Sequence, residues 1–357
     1  MSLLSLKPEP VVGIDISTTA VKLLELSKSG QSYRVESYAM EPLPENAVVD
    51  KNINESEVEV VGAAIEKIVK KAKPKADHAA VSVSGPAVMT KIVTMDGGMS
   101  DEDILGQIEM DAEQLIPFPL EEVNLDFEVQ GPNEREPDRV DILLAVSRSE
   151  NVDARVTAVE MGGLKTRVVD IDKYALETAF RMVMLNDPEI NDEDTIALVE
   201  VGATTTTLNI MGENRIVFTR EDMFGGKKLT EDIQHTYGLN YEEAQLAKRE
   251  GTLPEDYETT LLETFKEDVA QEISRLIQYY YSTSTYGKLS HILVAGGCAS
   301  INGIIDNISN KVGGHVTIVN PFVGMSVSDK VNKKDLMSDA PSLMIACGLA
   351  LRTFDEY

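Results

Sequence analysis

The feature that most constrains this chain is a repeat. A strand, a small polar turn, a second strand, a glycine- or asparagine-bearing turn and a third strand open the sequence, and the same order returns in its second half. The first copy runs Val11–Ile16, the turn Ser17-Thr18-Thr19, Val21–Ser27, the turn Lys28-Ser29-Gly30 and Tyr33–Met40, closed by Pro42. The second runs Thr195–Val201, Gly202-Ala203-Thr204, Thr205–Met211, Gly212-Glu213-Asn214 and Arg215–Arg220. An offset of 185 residues carries Asp15 onto Glu200, Ser17 onto Gly202 and Leu23 onto Leu208. Short apolar runs punctuated by Gly, Pro, Ser and Asn read as strands joined by tight turns. Two such meanders, each leading into helices, imply two related lobes and a cleft between them.

The segments between the copies fit that plan. Val58, Val61, Ile65, Ile68 and Ala72 recur every three or four residues and predict a helix, with Asn54 and Glu57 as its cap and Pro74 as its stop. Ala79–Ser84 reads as a strand. From Gly85 to Arg148 the pattern changes: an acidic helix from Ser100 and Asp103 ends at Pro117 and Pro119, and Val123–Val129 and Val140–Val146 are strand-like. This predicts a small αββ module inserted into the first lobe. A helix ending at Thr157–Gly162, a strand Leu164–Val169 and a helix Tyr174–Leu185 follow, and the polar stretch Asn186–Asp194 marks the main boundary. The second lobe continues with helices Lys228–Tyr237, Tyr241–Glu250 and Leu261–Tyr281, a strand Ile292–Ala295, a helix near Ile301–Ser309 and a last helix Ser342–Leu351.

Charge and residue usage narrow the function. The formal net charge is −27, a field that repels nucleic-acid backbones and anionic lipid. Neither nucleic-acid binding nor direct membrane insertion is expected. Cys298 and Cys347 read as buried fillers, and the histidines His78, His235, His291 and His315 are scattered, so no metal-ligand spacing is visible. Met1 to Pro10 has no apolar core of a signal peptide, and no run approaches the ~20 apolar residues that span a bilayer. A cytoplasmic chain is expected.

Three places can carry chemistry. Asp15 lies late in an apolar strand, before Ser17, Thr18 and Thr19; a carboxylate there can hold hydrated Mg²⁺ while turn N–H groups face phosphate oxygens. Lys22 on the next strand can reach the same phosphates. Read alone, so short a pattern is more often an ordinary hairpin with an acid at its edge. Glu200, Gly202, Ala203 and Thr204 repeat the arrangement, so that two hairpins would clamp one polyanion. The third place is Ile292–Ala295 running into Gly296-Gly297 and Ser300, a strand–Gly-Gly–helix turn with room for a base or a phosphate.

These segments also resemble the five ordered motifs of the actin, heat-shock-chaperone and sugar-kinase ATPases. Gly13–Ser17 is similar to the phosphate-1 motif, Val168–Glu177 with Asp172 and Ala175 to connect-1, Leu198–Leu208 to phosphate-2, Val294–Ile301 to the adenosine motif and Ser342–Leu351 to connect-2. Gly225-Gly226 resembles a phosphate-contacting pair. Ala244–Arg249 resembles the helix that holds ribose and adenine, with Lys248 and Arg249 at its basic positions and Gln245 where relatives often have Glu. The inserted module sits where the FtsA-like branch carries its extra subdomain. Val12–Leu26, Ile116–Val123, Asp126–Gly131, Phe224–Thr230 and Ala340–Ala350 resemble the PilM family of type IV pilus assembly.

The resemblance implies an α/β, actin-like ATPase fold: two duplicated ribonuclease-H-like lobes around a nucleotide cleft, with a small inserted α+β subdomain. The implied divisions are 1–85 and 149–190 for the first lobe core, 86–148 for the insertion, 191–225 and 287–340 for the second lobe core, 226–286 for a helical subdomain and 341–357 for a helix returning to the first lobe. It implies ATP with Mg²⁺ held by Asp15 and Glu200 through water, and Asp172 and Glu200 as the acids that would orient metal and water. Where relatives carry Asp, Glu200 adds a methylene, and misplacement near ~1 Å can cost on the order of 10²-fold in rate, so weak or no hydrolysis is expected. The implied partner is the N-terminal cytoplasmic tail of PilN, which would hold the chain at the inner membrane, with other pilus assembly proteins and motor ATPases as further partners in pilus biogenesis and twitching motility. An active actin-like ATPase, a filament-forming FtsA-like cell-division protein, for which a C-terminal amphipathic membrane helix is expected, and a sugar-kinase-type phosphotransferase, for which an acceptor pocket is expected, are the competing readings.

Overall fold

The two repeats build two sheets with one strand order. In the first lobe β1 (Val11–Ile16), β2 (Ala20–Ser29) and β3 (Ser32–Pro42) form an antiparallel meander. A small ladder of β4 (Val48–Val49) and β5 (Asn52–Ile53) leads to α1 (Val58–Ala72), and β6 (His78–Val83) returns parallel to β1. The inserted module holds β7 (Val88–Asp96), α2 (Asp101–Met110), the single turn α3 (Ala112–Leu115), β8 (Val123–Pro132) and β9 (Arg139–Arg148). α4 (Ser149–Met161), β10 (Lys165–Ile171) and α5 (Asp172–Asn186) follow. The second lobe repeats the meander in β11 (Ile196–Val201), β12 (Thr206–Gly212) and β13 (Arg215–Asp222), then runs through α6 (Gly226–Tyr237), α7 (Tyr241–Glu250), α8 (Glu263–Thr283), β14 (His291–Ala295), α9 (Ile304–Val312) and β15 (His315–Ile318). β16 (Ser326–Val327), α10 (Lys333–Asp339) and α11 (Met344–Leu351) close the fold.

This is a computed structural model, and it describes residues 10–191, 194–284 and 287–354. The N-terminal stretch read for a signal peptide lies outside the described residues apart from Pro10, as do residues 192–193 of the polar boundary and everything after Phe354. Among the described residues no helix is long and apolar enough to cross a membrane.

The sheets read β10-β6-β1-β2-β3 and β15-β14-β11-β12-β13, meander on one side and two parallel strands on the other, with β16 added to the first at β3. The register preserves the sequence offset: Asp15 faces Lys22, and Glu200 faces Thr207. β1 is buried along its whole length, as a strand covered on both faces by helices must be. α1 buries Val61, Ile65 and Ile68 on one face and ends at Lys73 in the left-handed conformation, before Pro74. Asn54 caps the short 3₁₀ turn Glu55–Glu57 in front of that helix through Ser56 N–H, while Ser100 and Asp103 form a full capping box on α2.

Several elements differ from the sequence reading. The inserted module is βαββ rather than αββ: Val88–Asp96 pairs along β9, giving an antiparallel sheet β7-β9-β8. Its residues alternate too weakly to announce a strand. Ser326–Val327, expected within the second lobe, instead adds to the first-lobe sheet beside Arg34 and Val35. The helix expected near Ile301 begins at Ile304, because Gly303 takes a left-handed backbone at its N-cap, and Pro341 sits in a 3₁₀ turn that delays the last helix to Met344.

One core cluster joins the lobes. Leu24, Leu26 and Val35 of the first lobe pack in it with Ile196, Leu198 and Leu293 of the second, around α5 and α11. Separate clusters fill the outer second lobe, the outer first lobe and the module. The shared cluster forms the floor on which the cleft stands.

Candidate functional site

The carboxyl ends of β1, β10, β11 and β14 open onto a single cleft of about 550 Å³, where α/β sheets generally bind ligands. Its floor is acidic. Asp15 is 4% exposed and accepts a 2.7 Å bond from Lys22 Nζ, itself 8% exposed. Asp172, the first residue of α5, accepts from Ser82 Oγ. Glu200 occupies in β11 the position Asp15 holds in β1.

Burial, and then the charge of Asp15, raise the Asp172 carboxyl above the ordinary range. Burial pushes Glu200 up to about 7, opposed by Lys22 and reinforced by Asp15 and Asp172. Behind them Arg155, 1% exposed, donates from Nε to the Ser82 carbonyl at 2.6 Å, from a terminal nitrogen to Asn151, and from the other to the Lys51 carbonyl. Asp15, Asp172 and Glu200 thus line one cleft, Asp15 buried and the other two half-buried, a donor set of hard oxygens that fits Mg²⁺.

The raised value of Glu200 has a consequence for the ligand-free protein. A carboxyl whose folded value exceeds its ordinary 4.5 holds its proton more tightly folded than unfolded, so its contribution favours folding at low pH and declines as pH climbs through the window from 4.5 to about 7. Thermal melts across that window should show Glu200→Gln with a flatter decline than the parent. Parallel profiles for the two proteins would mean that Glu200 titrates normally.

The second loop and the start of α6 form one wall of the cleft. α6 begins at Gly225-Gly226 with no side-chain cap, and its first N–H groups bond the second loop, Gly226 to the Gly202 carbonyl at 2.9 Å and Lys227 to that of Ala203 at 2.7 Å. Gly226 and Lys227 line the cleft, so the positive end of the α6 dipole lies at its wall. Opposite, Gly296 adopts φ +87°, and a Cβ there would stand 2.3 Å from the Val201 carbonyl oxygen. Only glycine fits this turn. Tyr241, Tyr257, Leu262 and Ile301 supply an apolar end, with Gln245 Nε2 donating to Tyr241 Oη at 2.8 Å and Lys248 Nζ to Thr230 Oγ1 at 2.7 Å.

Of the residues selected from sequence, Asp15, Ser17, Thr18, Thr19, Lys22, Asp172, Glu200, Gly202, Ala203, Thr204, Gly226, Gln245, Lys248, Gly296, Gly297 and Ser300 line this cleft. Gly225 and Arg249 do not. Gly225 packs against the Ala203 carbonyl, and Arg249, one helix step from Lys248, is exposed on the outer side of α7. Lys51, Ser84, Cys298 and the apolar end were missed. Cys298, expected as an inert filler, is buried but lines the cleft, and burial pushes its thiol up to about 11. Lys51 pairs with Glu221 across the lobes, 170 residues away; no local pattern marks such a contact.

Two lobes with one strand order, closed over a cleft at their strand ends, define the class: the chain has the actin-like ATPase fold. The family model for type IV pilus assembly protein PilM matches residues 13–354, and the chain belongs to that family. A solved PilM-PilN type IV pilus biogenesis complex is 22% identical, superposes with a TM-score of 0.76, and the match covers 97% of this chain and 99% of that one. The ethanolamine utilization protein EutJ of Carboxydothermus hydrogenoformans is similar at 16% identity and a TM-score of 0.55, over 97% of this chain and 90% of that one.

Proposed function

We propose that the chain is an ATP-binding scaffold of the type IV pilus assembly complex, that it takes the N-terminal cytoplasmic tail of PilN, and that this tail holds it at the inner membrane. The observation that carries the reading is the likeness to PilM over residues 13–354, together with a solved relative that forms a complex with PilN. The cleft supports the nucleotide: paired loops, a helix N-terminus and an apolar end sit around the buried Asp15 and the half-buried Asp172 and Glu200. Asp15 and Glu200 would hold Mg²⁺, which when bound neutralises phosphate charge. Gly202, Ala203, Thr204 and Gly226 would face phosphates, while Gln245, Lys248 and Gly296 would bracket the nucleoside.

Turnover in this reading is slow or nil. The Asp172 carboxylate already accepts a hydrogen bond from Ser82 Oγ, and Glu200 is a methylene longer than the Asp of relatives, which misplaces it for orienting metal and water. ATP then acts as a conformational ligand, closing lobes that share one apolar floor and changing affinity for the tail by differential binding to the two states. Calorimetric titration of the full chain with a PilN-tail peptide, with and without Mg-ATP, should show saturable binding whose affinity differs between the two conditions by roughly 5-fold or more. Absence of binding under both conditions removes the adaptor role; equal affinities remove the coupling.

A further inference from the structure

The histidines that look scattered in sequence are partly assembled by the fold. β14 and β15 run parallel with His291 directly opposite His315, each the first residue of its strand, at the end of the sheet away from the cleft. Their rings stand edge to face, 5.1 Å between centroids. The segment joining the lobes passes beside them and places Glu189 Oε2 3.4 Å from His315 Nε2. Among the described residues these three form the one group of His, Cys, Asp or Glu whose candidate ligand atoms all lie within 4.8 Å of one another.

We propose that Glu189, His291 and His315 form a zinc site that fastens the interlobe segment to the second sheet. Four-coordinate zinc with bonds of about 2.0–2.1 Å places neighbouring ligand atoms about 3.3 Å apart. The Glu189–His315 separation already matches that edge. Two imidazoles and one carboxylate suit Zn²⁺ and are poor ligands for Mg²⁺ or Ca²⁺, which take oxygen sets.

Neighbouring groups hold the ligands in place. His291 Nδ1 lies 3.2 Å from Ser290 Oγ, and that hydroxyl donates its own proton to the Thr195 carbonyl. The hydroxyl can therefore only accept from the ring, so Nδ1 carries the hydrogen and Nε2 keeps the lone pair a metal needs. Glu189 is set by a turn in which its N–H donates to Asp187 Oδ1 at 3.0 Å and Ile190 N–H to the Asp187 carbonyl. Glu189 and His315 are exposed, which leaves the fourth coordination position to water. The segment clamped in this way continues directly from α5, the helix whose first residue is Asp172.

The test is titration of the full, tag-free and nucleotide-free chain with Zn²⁺, followed by calorimetry and by the melting temperature. One saturable site with a micromolar or tighter Kd is expected, and it should persist in millimolar Mg²⁺. Glu189→Gln and His315→Gln, both on the surface, should each weaken it by at least 10–100-fold, the loss that even outer-shell changes cause, and should abolish the rise in melting temperature produced by zinc. Co²⁺ in place of zinc should give the visible absorption of a tetrahedral site in the parent and not in His315→Gln. Zinc affinity unchanged in both variants, or no binding below the millimolar range, would overturn the proposal. It stands apart from the nucleotide reading, since neither result depends on ATP.

Discussion

Gly348→Val should leave no soluble folded protein. A Cβ at Gly348 would lie 1.8 Å from the Ala175 carbonyl oxygen and 2.9 Å from its Cα. Both are backbone atoms of α5, so no rotamer change absorbs the clash; the whole of α11 must move away. α11 is buried on nearly every residue and packs with α5 in the cluster that unites the lobes. Ordinary overpacking costs about 1–3 kcal/mol, and forcing two helices apart at the centre of the molecule should exceed that, against a total stability on the order of 5–15 kcal/mol. Gly348→Ala makes the same clash with less bulk and should remain measurable, lowering the denaturation midpoint clearly. A Gly348→Ala protein melting within about 2 °C of the parent would show that α5 and α11 have room the structure denies them. Ala175 lies three residues beyond Asp172 on the same helix, so a surviving variant should also bind ligand less well in the cleft.

Asp15→Asn should reduce Mg-ATP affinity by about 100-fold, roughly 2.7 kcal/mol. The substitution keeps the size of the side chain and an oxygen able to accept from Lys22 Nζ, now 2.7 Å away, so the fold is preserved. What it removes is a buried negative charge at the place where the paired loops and the carboxylates of Asp172 and Glu200 converge. Mg²⁺ is commonly held by one or two carboxylates together with phosphate oxygens, and losing one leaves Glu200, whose carboxyl, pushed up to about 7, is only partly ionised at pH 7. Titration with a fluorescent ATP analogue, with and without Mg²⁺, should show the Mg²⁺-dependent part of the affinity disappearing while the metal-free part survives. Parent-like Mg²⁺ dependence in Asp15→Asn would mean that the cation sits elsewhere. Rapid sustained turnover by the parent, lost in this variant, would instead make the protein a working ATPase.

The duplicated hairpins were legible because a strand and its turn are local: apolar runs and turn residues within a few positions decide them. The offset then placed Asp15 and Glu200 at equivalent points before either sheet was known, and the register confirms the equivalence. The weakly alternating Val88–Asp96 gave no such local signal and became a strand only by pairing with β9. Lys248 and Arg249 could not be separated, since which side of α7 faces the cleft depends on what the helix packs against.

Local patterning alone determined two related lobes, the acids at their strand ends and the Gly-Gly turn beside them. Only the assembled chain decided that Arg155 would lie buried behind those acids, that Ser326–Val327 would cross back to the first sheet, and that His291 and His315 would meet Glu189. These are contacts between residues far apart in sequence. They follow from which strands lie side by side and in what register, and short-range residue preferences carry no information about that.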